Sequence, residues 1–104
     1  MKELVKIIVN ELKSKNKTLS FMESCTGGYL VNEITNISGA SEILKVSLVT
    51  YSSEYKIKFG VNKNKIEKNS VYSKTVSSEM AENAAKFSGS DYGIGITRTI
   101  GGKS

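Results

Sequence analysis

Segments with helical periodicity alternate with short apolar segments along this chain, and this alternation is the feature that most constrains the fold. Apolar residues recur at the spacing of an amphipathic helix in residues 2–15, from residue 30 onward, and after Ser73. Between them lie segments typical of strands, at residues 18–22, 45–52 and 91–97. The order helix, strand, helix, strand, helix, strand predicts an α/β fold: a layered α/β/α domain with a mainly parallel or mixed sheet.

Helix boundaries are also readable from the sequence. Ser73 is a predicted N-cap and Gly89 a predicted end of the last long helix. Ser52 and Ser53 are N-cap candidates for a short helix that ends near Gly60, and we expect a lysine-rich connection after it. The predicted apolar stripes are Leu4, Val5, Ile8, Val9 and Leu12 in the first helix, Leu30, Ile34 and Ile37 in the second, and Val76, Met80, Ala84 and Phe87 in the last.

Two of the strand segments carry further information. Residues 45–52, "KVSLVTYS", are apolar on both alternating faces, which predicts an interior strand covered on both sides. Residues 91–97, "DYGIGIT", alternate apolar side chains with Gly93 and Gly95. Glycine at every second position predicts a strand that packs very closely against a neighbouring element.

Composition excludes several classes of protein. A chain of 104 residues with 38% hydrophobic residues predicts one globular domain, and no apolar run is long enough to span a membrane. The N-terminal residues lack the features of a signal peptide, so we expect a cytoplasmic protein. The net charge of +5 comes from scattered lysines and one arginine, Arg98, which argues against nucleic acid or a membrane as a partner.

Histidine is absent, and Cys25 is the only cysteine. An internal disulfide, a multi-cysteine metal site, and every Ser-His or Cys-His catalytic arrangement are therefore excluded. We expect no metal and no cofactor. A hydrolase built from this chain needs a lysine, a tyrosine or a carboxylate as its base.

Open α/β sheets bind ligands at the carboxyl ends of their strands, where residues 24–28, 51–56 and 97–102 are expected. The glycines of the first cluster, at a strand-to-helix junction, suit an anion such as phosphate, although a simple capped turn is the alternative. Ser41 precedes the strand at residues 45–52, whereas Tyr51 and Lys56 follow at its far end. A lysine can activate a serine hydroxyl, but spacing alone equally fits a solvated lysine and a half-buried strand tyrosine.

Several motifs in order resemble the CinA carboxy-terminal domain family: "ESCTGG" at residues 23–28, "SGAS" ending at Ser41, "VTYSSEYK" at residues 49–56, "VYS" at residues 71–73 and "MAENAA" at residues 80–85. Family members are nicotinamide-mononucleotide deamidases. The resemblance implies hydrolysis of the nicotinamide carboxamide to a carboxylate and ammonia, without a metal. It also implies that Ser41 is the nucleophile, Lys56 its base and Tyr51 a proton relay or orienting group.

The same resemblance assigns the substrate contacts. Ser24, Thr26, Gly27 and Gly28 would hold the mononucleotide together with Thr97, while Cys25 would pack beneath the loop. By this resemblance the chain ends before the family domain does, which implies a C-terminally shortened sheet with an exposed edge and hence a homo-oligomer, a dimer or higher. An alternative stays open: a catalytically inactive member that binds a nucleotide or a partner protein.

Overall fold

The computed structural model, which describes residues 2–24, 28–71 and 73–97, arranges helices around a small parallel sheet. The strands are β1 (Leu19–Glu23), β2 (Leu44–Val49) and β3 (Tyr92–Ile96), in the order β2-β1-β3. The helices are α1 (Lys2–Ser14), α2 (Tyr29–Thr35), α3 (Ser53–Lys58), α4 (Lys63–Asn69) and α5 (Lys74–Ser88), and a 3-10 helix (Ala40–Glu42) precedes β2. The α/β fold predicted from the alternation of segments is confirmed.

The core lies on both faces of β1, whose five residues are all buried. Because successive side chains of a strand point to opposite faces, Phe21 and Met22 belong to different clusters. The cluster around Phe21 also contains Val5, Val9, Leu19, Ile34, Ala40 and Ile43. The cluster around Met22 contains Val61, Val76, Met80 and Ala84. One layer, with α1 and α2, therefore covers one face of the sheet, and α5 covers the other.

The contact between α5 and β3 explains the glycine pattern of the last strand. A Cβ atom added to Gly93 would collide with the Ala81 carbonyl oxygen, and one added to Gly95 would collide with the Ser77 carbonyl oxygen. The predicted close approach is thus confirmed, and α5 is the element against which the strand packs. The predicted caps of α5 are confirmed as well, since Ser73 Oγ accepts from the Val76 N–H at 3.2 Å and Gly89 ends the helix with φ 75°.

The prediction that residues 45–52 form an interior strand was wrong. Among the described strands β2 lies at an edge of the sheet and pairs only with β1. Its residues are half-buried or exposed, and Val49 keeps 53% of its surface accessible. Apolar residues on both faces of a segment indicate burial only if the rest of the fold covers both faces, and here the covering is partial.

Two smaller differences concern helices. The first helix buries Val5 and Val9, whereas Leu4 and Ile8 of the predicted stripe are exposed. Phe87, the last residue of the stripe predicted for α5, is also exposed, at 60% of its surface. Residues 63–69, where a lysine-rich connection was expected, form α4. This helix has no fully buried residue; Ile66 packs against the Met22 cluster, and polar contacts hold the start of the helix. Asn62 Oδ1 accepts from the Asn64 and Lys65 N–H groups, and the Glu79 carboxylate accepts from the Asn62 N–H and from Lys65 Nζ, both at 3.0 Å.

Candidate functional site

The carboxyl ends of the three strands meet at one edge of the sheet. Glu23 is in register with Val49 on β2 and with Ile96 on β3. Two further hydrogen bonds extend the pairing past the strand ends: the Thr50 N–H donates to the Glu23 carbonyl at 2.8 Å, and the Ser24 N–H donates to the Ile96 carbonyl at 3.2 Å. We call this region, residues 23–24, 50–51 and 96–97, the carboxyl edge. The clusters predicted to meet there do so as far as the structure describes them.

Lys56 is the buried lysine of the carboxyl edge. The Ser52 hydroxyl caps α3 by accepting from the Tyr55 N–H, and the first turns of this helix direct Lys56 back under the end of β2. Its residue surface is only 1% exposed, and Nζ donates to the Thr50 carbonyl at 2.7 Å and to the Tyr51 carbonyl at 3.3 Å. The alternative of an ordinary solvated lysine is therefore wrong.

The other predicted side chains at this edge differ in their exposure. Tyr51 keeps 76% of its surface accessible, so the alternative of a half-buried tyrosine is also wrong. Ser24 is only 8% exposed. Thr97 Oγ1 donates to the Val71 carbonyl at 3.1 Å, which ties the end of β3 to the segment before α5. The edge thus combines an accessible phenol with largely enclosed hydroxyl and ammonium groups.

Glu23 is a site candidate that the sequence analysis quoted without giving it a role. It ends the central strand and is completely buried. A Cβ atom built on Gly28 would lie 3.9 Å from Glu23 Oε1, and Gly28 itself has φ 95°, a conformation that favours glycine, where α2 begins. The signal that could have found Glu23 is a single acidic residue at the end of an otherwise uncharged strand, directly before "SCTGG".

Ser41 lies at the amino end of β2, at the opposite end of the strand from the carboxyl edge. It is an exposed residue of the 3-10 helix that precedes β2, whereas Tyr51 and Lys56 follow β2. The six residues of β2, at about 3.3 Å each, span roughly 20 Å. Within one chain, the structure therefore brings Tyr51 and Lys56 together and keeps Ser41 away from them. Thr26 and Gly27, together with Cys25 and residues 98–102, lie outside the described residues.

An open groove runs beside the carboxyl edge, between α2 and the outer part of β2. The residues that line it are Gly28, Tyr29, Val31, Asn32, Thr35, Ser47 and Val49. Among the residues that the structure describes, no three His, Cys, Asp or Glu side chains come together in a group that could hold a metal ion. A search of the same ranges for a helix with the length and apolar character needed to cross a membrane found none.

Polar groups gathered at the carboxyl ends of parallel strands define an α/β protein whose candidate ligand site lies at the strand ends. The chain belongs to the CinA C-terminal domain family, because the family model matches residues 1–104. This family assignment agrees with the resemblance found in the sequence motifs.

Relatives of known sequence support the same assignment. The chain is 38% identical over 100 residues to a "Putative competence-damage inducible protein" of Thermoanaerobacter sp. (strain X514). It is 41% identical over 99 residues to a protein of the same description from Clostridium botulinum (strain Langeland / NCTC 10281 / Type F). These alignments cover 95% and 94% of the chain, but 24% of each relative. The chain thus spans about a quarter of the length of these relatives.

Solved structures share the fold. A competence/damage inducible protein, CihA, from Agrobacterium tumefaciens superposes with a TM-score of 0.83 at 27% identity, covering 86% of this chain and 55% of that one. A competence or damage-inducible protein from Enterobacter asburiae gives a TM-score of 0.83 at 30% identity, covering 86% of this chain and 57% of that one. The arrangement of helices and strands described above is therefore that of the CinA superfamily.

Proposed function

We propose that this chain carries the catalytic groups of an amidohydrolase that converts nicotinamide mononucleotide to nicotinate mononucleotide and ammonia. The observation that carries the proposal is the buried Lys56 at the carboxyl edge, in a chain that belongs to the CinA C-terminal domain family. Removal of water from the ammonium group is one of the conditions that allow a lysine to act as a base near neutral pH. Lys56, 1% exposed, is shielded from water in this way.

Hydrogen bonds hold the Lys56 side chain in place. Two carbonyls, those of Thr50 and Tyr51, accept from Nζ. These acceptors belong to the backbone directly after β2, so they fix the position of Nζ relative to the edge. Tyr51, whose carbonyl accepts from Nζ, has an exposed phenol that is suited to orient the substrate carboxamide or to relay a proton.

The proposed reaction has two steps. In the first, Lys56 takes the proton of the Ser41 hydroxyl while the oxygen attacks the carboxamide carbon; the C–N bond then breaks and ammonia leaves with that proton. In the second, water attacks the resulting ester, gives one proton to the lysine amine and releases the acid product, which becomes the carboxylate by losing the other proton to solvent. The serine recovers its proton from Lys56, so the protein returns to its starting state. Ser41 lies roughly 20 Å from the carboxyl edge along β2, and Ser24 is the described serine at that edge, so Ser24 is the alternative nucleophile.

The experiment is an incubation of the chain with nicotinamide mononucleotide, followed by detection of ammonia and of the acid product. We expect Lys56→Met to lower kcat by about 10²–10⁴-fold, the range for removal of a general base, and Ser41→Ala to lower it at least as much. The neighbouring Lys58→Met and the Cys25→Ala variants should retain activity. Full activity of Lys56→Met in a folded sample would exclude the proposed mechanism.

A second candidate is a family member that binds the mononucleotide without converting it. The separation of Ser41 from Tyr51 and Lys56 within one chain is the observation that favours it. This candidate predicts that nicotinamide mononucleotide raises the thermal unfolding temperature while no ammonia is released by the wild type. Ammonia release that disappears in Ser41→Ala would exclude it.

A further inference from the structure

We infer that the groove between α2 and β2 binds the positively charged pyridinium ring of the substrate, and that the ring stacks on Tyr29. The inference rests on the proposed function, from which it takes the substrate. In nicotinamide mononucleotide the ring nitrogen carries the sugar, so the ring is a permanent cation. Such a ring requires an aromatic face to stack on and surroundings without competing positive charge.

The described lining of the groove contains no basic residue, although the chain as a whole is basic. Lysine and arginine account for 15 of the 104 residues and give a net charge of +5. None of them is among the described residues that line the groove. The one charged residue of α2 is Glu33, whose Oε1 accepts from the Tyr29 hydroxyl at 3.4 Å. A carboxylate beside a groove without ammonium groups favours a cationic ligand over an anionic one.

Tyr29 lies at the end of the groove that adjoins the carboxyl edge. It is the first residue of α2 and follows Gly28, where an added Cβ atom would lie 3.9 Å from Oε1 of Glu23 at the end of β1. Tyr29 keeps 57% of its surface accessible, and the hydrogen bond to Glu33 restrains its phenol along the helix. An exposed aromatic ring that is held in place is suited to stack on a second ring, and a positive charge on that second ring strengthens the contact.

The β2 side of the groove supplies an apolar surface at the same end. Val49, the last residue of β2, lines the groove and is 53% exposed. A flat ring between Tyr29 and Val49 removes apolar surface of both residues from water. Val49 is in register with Glu23, and the residue after it, Thr50, accepts from Lys56 Nζ through its carbonyl. A ring at this end of the groove therefore has its carboxamide at the carboxyl edge.

Two small ligands that differ in charge test the stacking on Tyr29. 1-Methylnicotinamide carries the pyridinium charge and nicotinamide is neutral, while both have the carboxamide and neither has a sugar or a phosphate. In NMR titrations of the full chain, 1-methylnicotinamide should bind about 2- to 30-fold more tightly, the range for a cation–π contact, and its ring protons should shift upfield. Tyr29→Leu should remove the shift and most of the preference, whereas Tyr29→Phe should retain both. Tyr92→Leu, at a tyrosine of similar exposure (52%) at the amino end of β3, should behave as the wild type.

A second pair of variants tests the charge beside the groove. Glu33→Gln keeps the size of the side chain and an oxygen that accepts from Tyr29, but it removes the negative charge. It should weaken the binding of 1-methylnicotinamide by about 1.5- to 5-fold, the range for an exposed charge pair, and leave that of nicotinamide unchanged. Glu82→Gln makes the same change in net charge at an exposed position of α5, on the other face of the sheet, and should alter neither.

Turnover separates this inference from the proposed function. With nicotinamide mononucleotide, Tyr29→Leu should raise KM and leave kcat nearly unchanged, because stacking holds the ring equally in the ground state and the transition state. If the preference for the charged ligand is found but the wild type releases no ammonia, the ring site stands and the proposed function fails. Three results would overturn the inference: equal affinity of the wild type for the two ligands, no binding of either ligand, or a preference that Tyr29→Leu leaves intact.

Discussion

The two flanks of the central strand β1 are packed in opposite ways. On the tight flank, formed by β3 and α5, Gly93 and Gly95 lie so close to the helix backbone that no side chain fits. On the open flank, formed by β2 and α2, a groove separates the elements and Val49 is more than half exposed. The contrast indicates that the tight flank holds the fold together, while the open flank leaves surface and polar groups available for binding.

The position of Lys56 relates the two flanks to the candidate site. The lysine follows the strand of the open flank, yet it is as buried as the residues of the apolar core. Burying an ammonium group is costly unless its donors are satisfied, and here two carbonyls accept from Nζ. The carboxyl edge therefore combines a fixed, enclosed lysine side chain with an open approach from the groove side. That combination suits a site that must hold a base in place and still admit a ligand.

The largest effect is expected from placing a side chain in the tight flank. Gly95→Ala puts a Cβ atom against the Ser77 carbonyl and the Ala81 N–H group, so α5 must move away from β3. We expect a loss of about 3 kcal/mol or more in the free energy of unfolding, measured by urea denaturation. Gly89→Ala is the control, because a Cβ atom there meets nothing within 4 Å and only its φ of 75° is unfavourable. Equal losses for both variants would contradict the account of tight packing.

A smaller loss is expected when the buried cation is removed. Lys56→Met keeps most of the apolar stem but leaves the Thr50 and Tyr51 carbonyls without this donor. Loss of a buried hydrogen-bond partner costs about 1–3 kcal/mol, and we expect a decrease of about 2 kcal/mol in the free energy of unfolding. Lys58→Met, on the exposed side of the same helix, should change it by less than about 0.5 kcal/mol. Indistinguishable unfolding curves for the two variants would show that the hydrogen bonds of Lys56 do not contribute to the free energy of unfolding.

A charged residue introduced on the open flank should affect the association of copies more than the folding of one copy. Val49→Asp replaces a half-exposed side chain on an edge strand, so the free energy of unfolding of a single copy should fall by about 1 kcal/mol or less. The same change places a charge on the exposed edge of the sheet, and an oligomer that uses this edge should dissociate. Sedimentation velocity over a concentration series measures this. Ile7→Asp, on an exposed position of α1, should leave assembly unchanged; dissociation by Ile7→Asp alone would move the interface to α1.

The smallest effect concerns acid sensitivity at the start of the tight flank. The Thr18 N–H donates to Asp91 Oδ2 at 2.8 Å and holds the pKa of that carboxyl below its usual range. A lowered folded-state pKa stabilises the protein above the unfolded value, near about 3.9, and this contribution is lost as the pH falls through the folded value. Asp91→Ala should therefore show a weaker decline of unfolding temperature below about pH 4. An equal decline of the unfolding temperature with falling pH in the variant and the wild type would contradict this prediction.

The sequence predicted the tight flank well because its signals are local. The Ser73 cap, the stripe of Val76, Met80 and Ala84, and the alternating glycines of β3 each reflect contacts that short-range spacing can report. Helix α4 was missed since its single half-buried residue, Ile66, gives no periodic pattern. The contacts of Asn62 and Glu79 that hold this helix join residues 17 positions apart.

The open flank was harder to predict from sequence. Apolar alternation in residues 45–52 suggested burial on both sides, because a sequence pattern does not reveal whether a strand lies inside a sheet or at its edge. The burial of Lys56 depends on how α3 turns back beneath β2, which no spacing rule specifies. Ser41 and Tyr51 were already placed at the two ends of one strand by sequence order. Their separation in space follows from β2 being a single extended strand.

Hydrogen exchange read by mass spectrometry tests most directly whether stability and binding are divided between the two flanks. In dilute solution, the amides of α5 and β3 should exchange most slowly, together with those of β1, while the outward-facing amides of residues 46–49 exchange quickly. Raising the protein concentration should slow exchange in residues 46–49 and leave α5 and β3 unchanged. The account would be contradicted if residues 46–49 were as protected as β3 in dilute solution, or if α5 and β3 exchanged before β2.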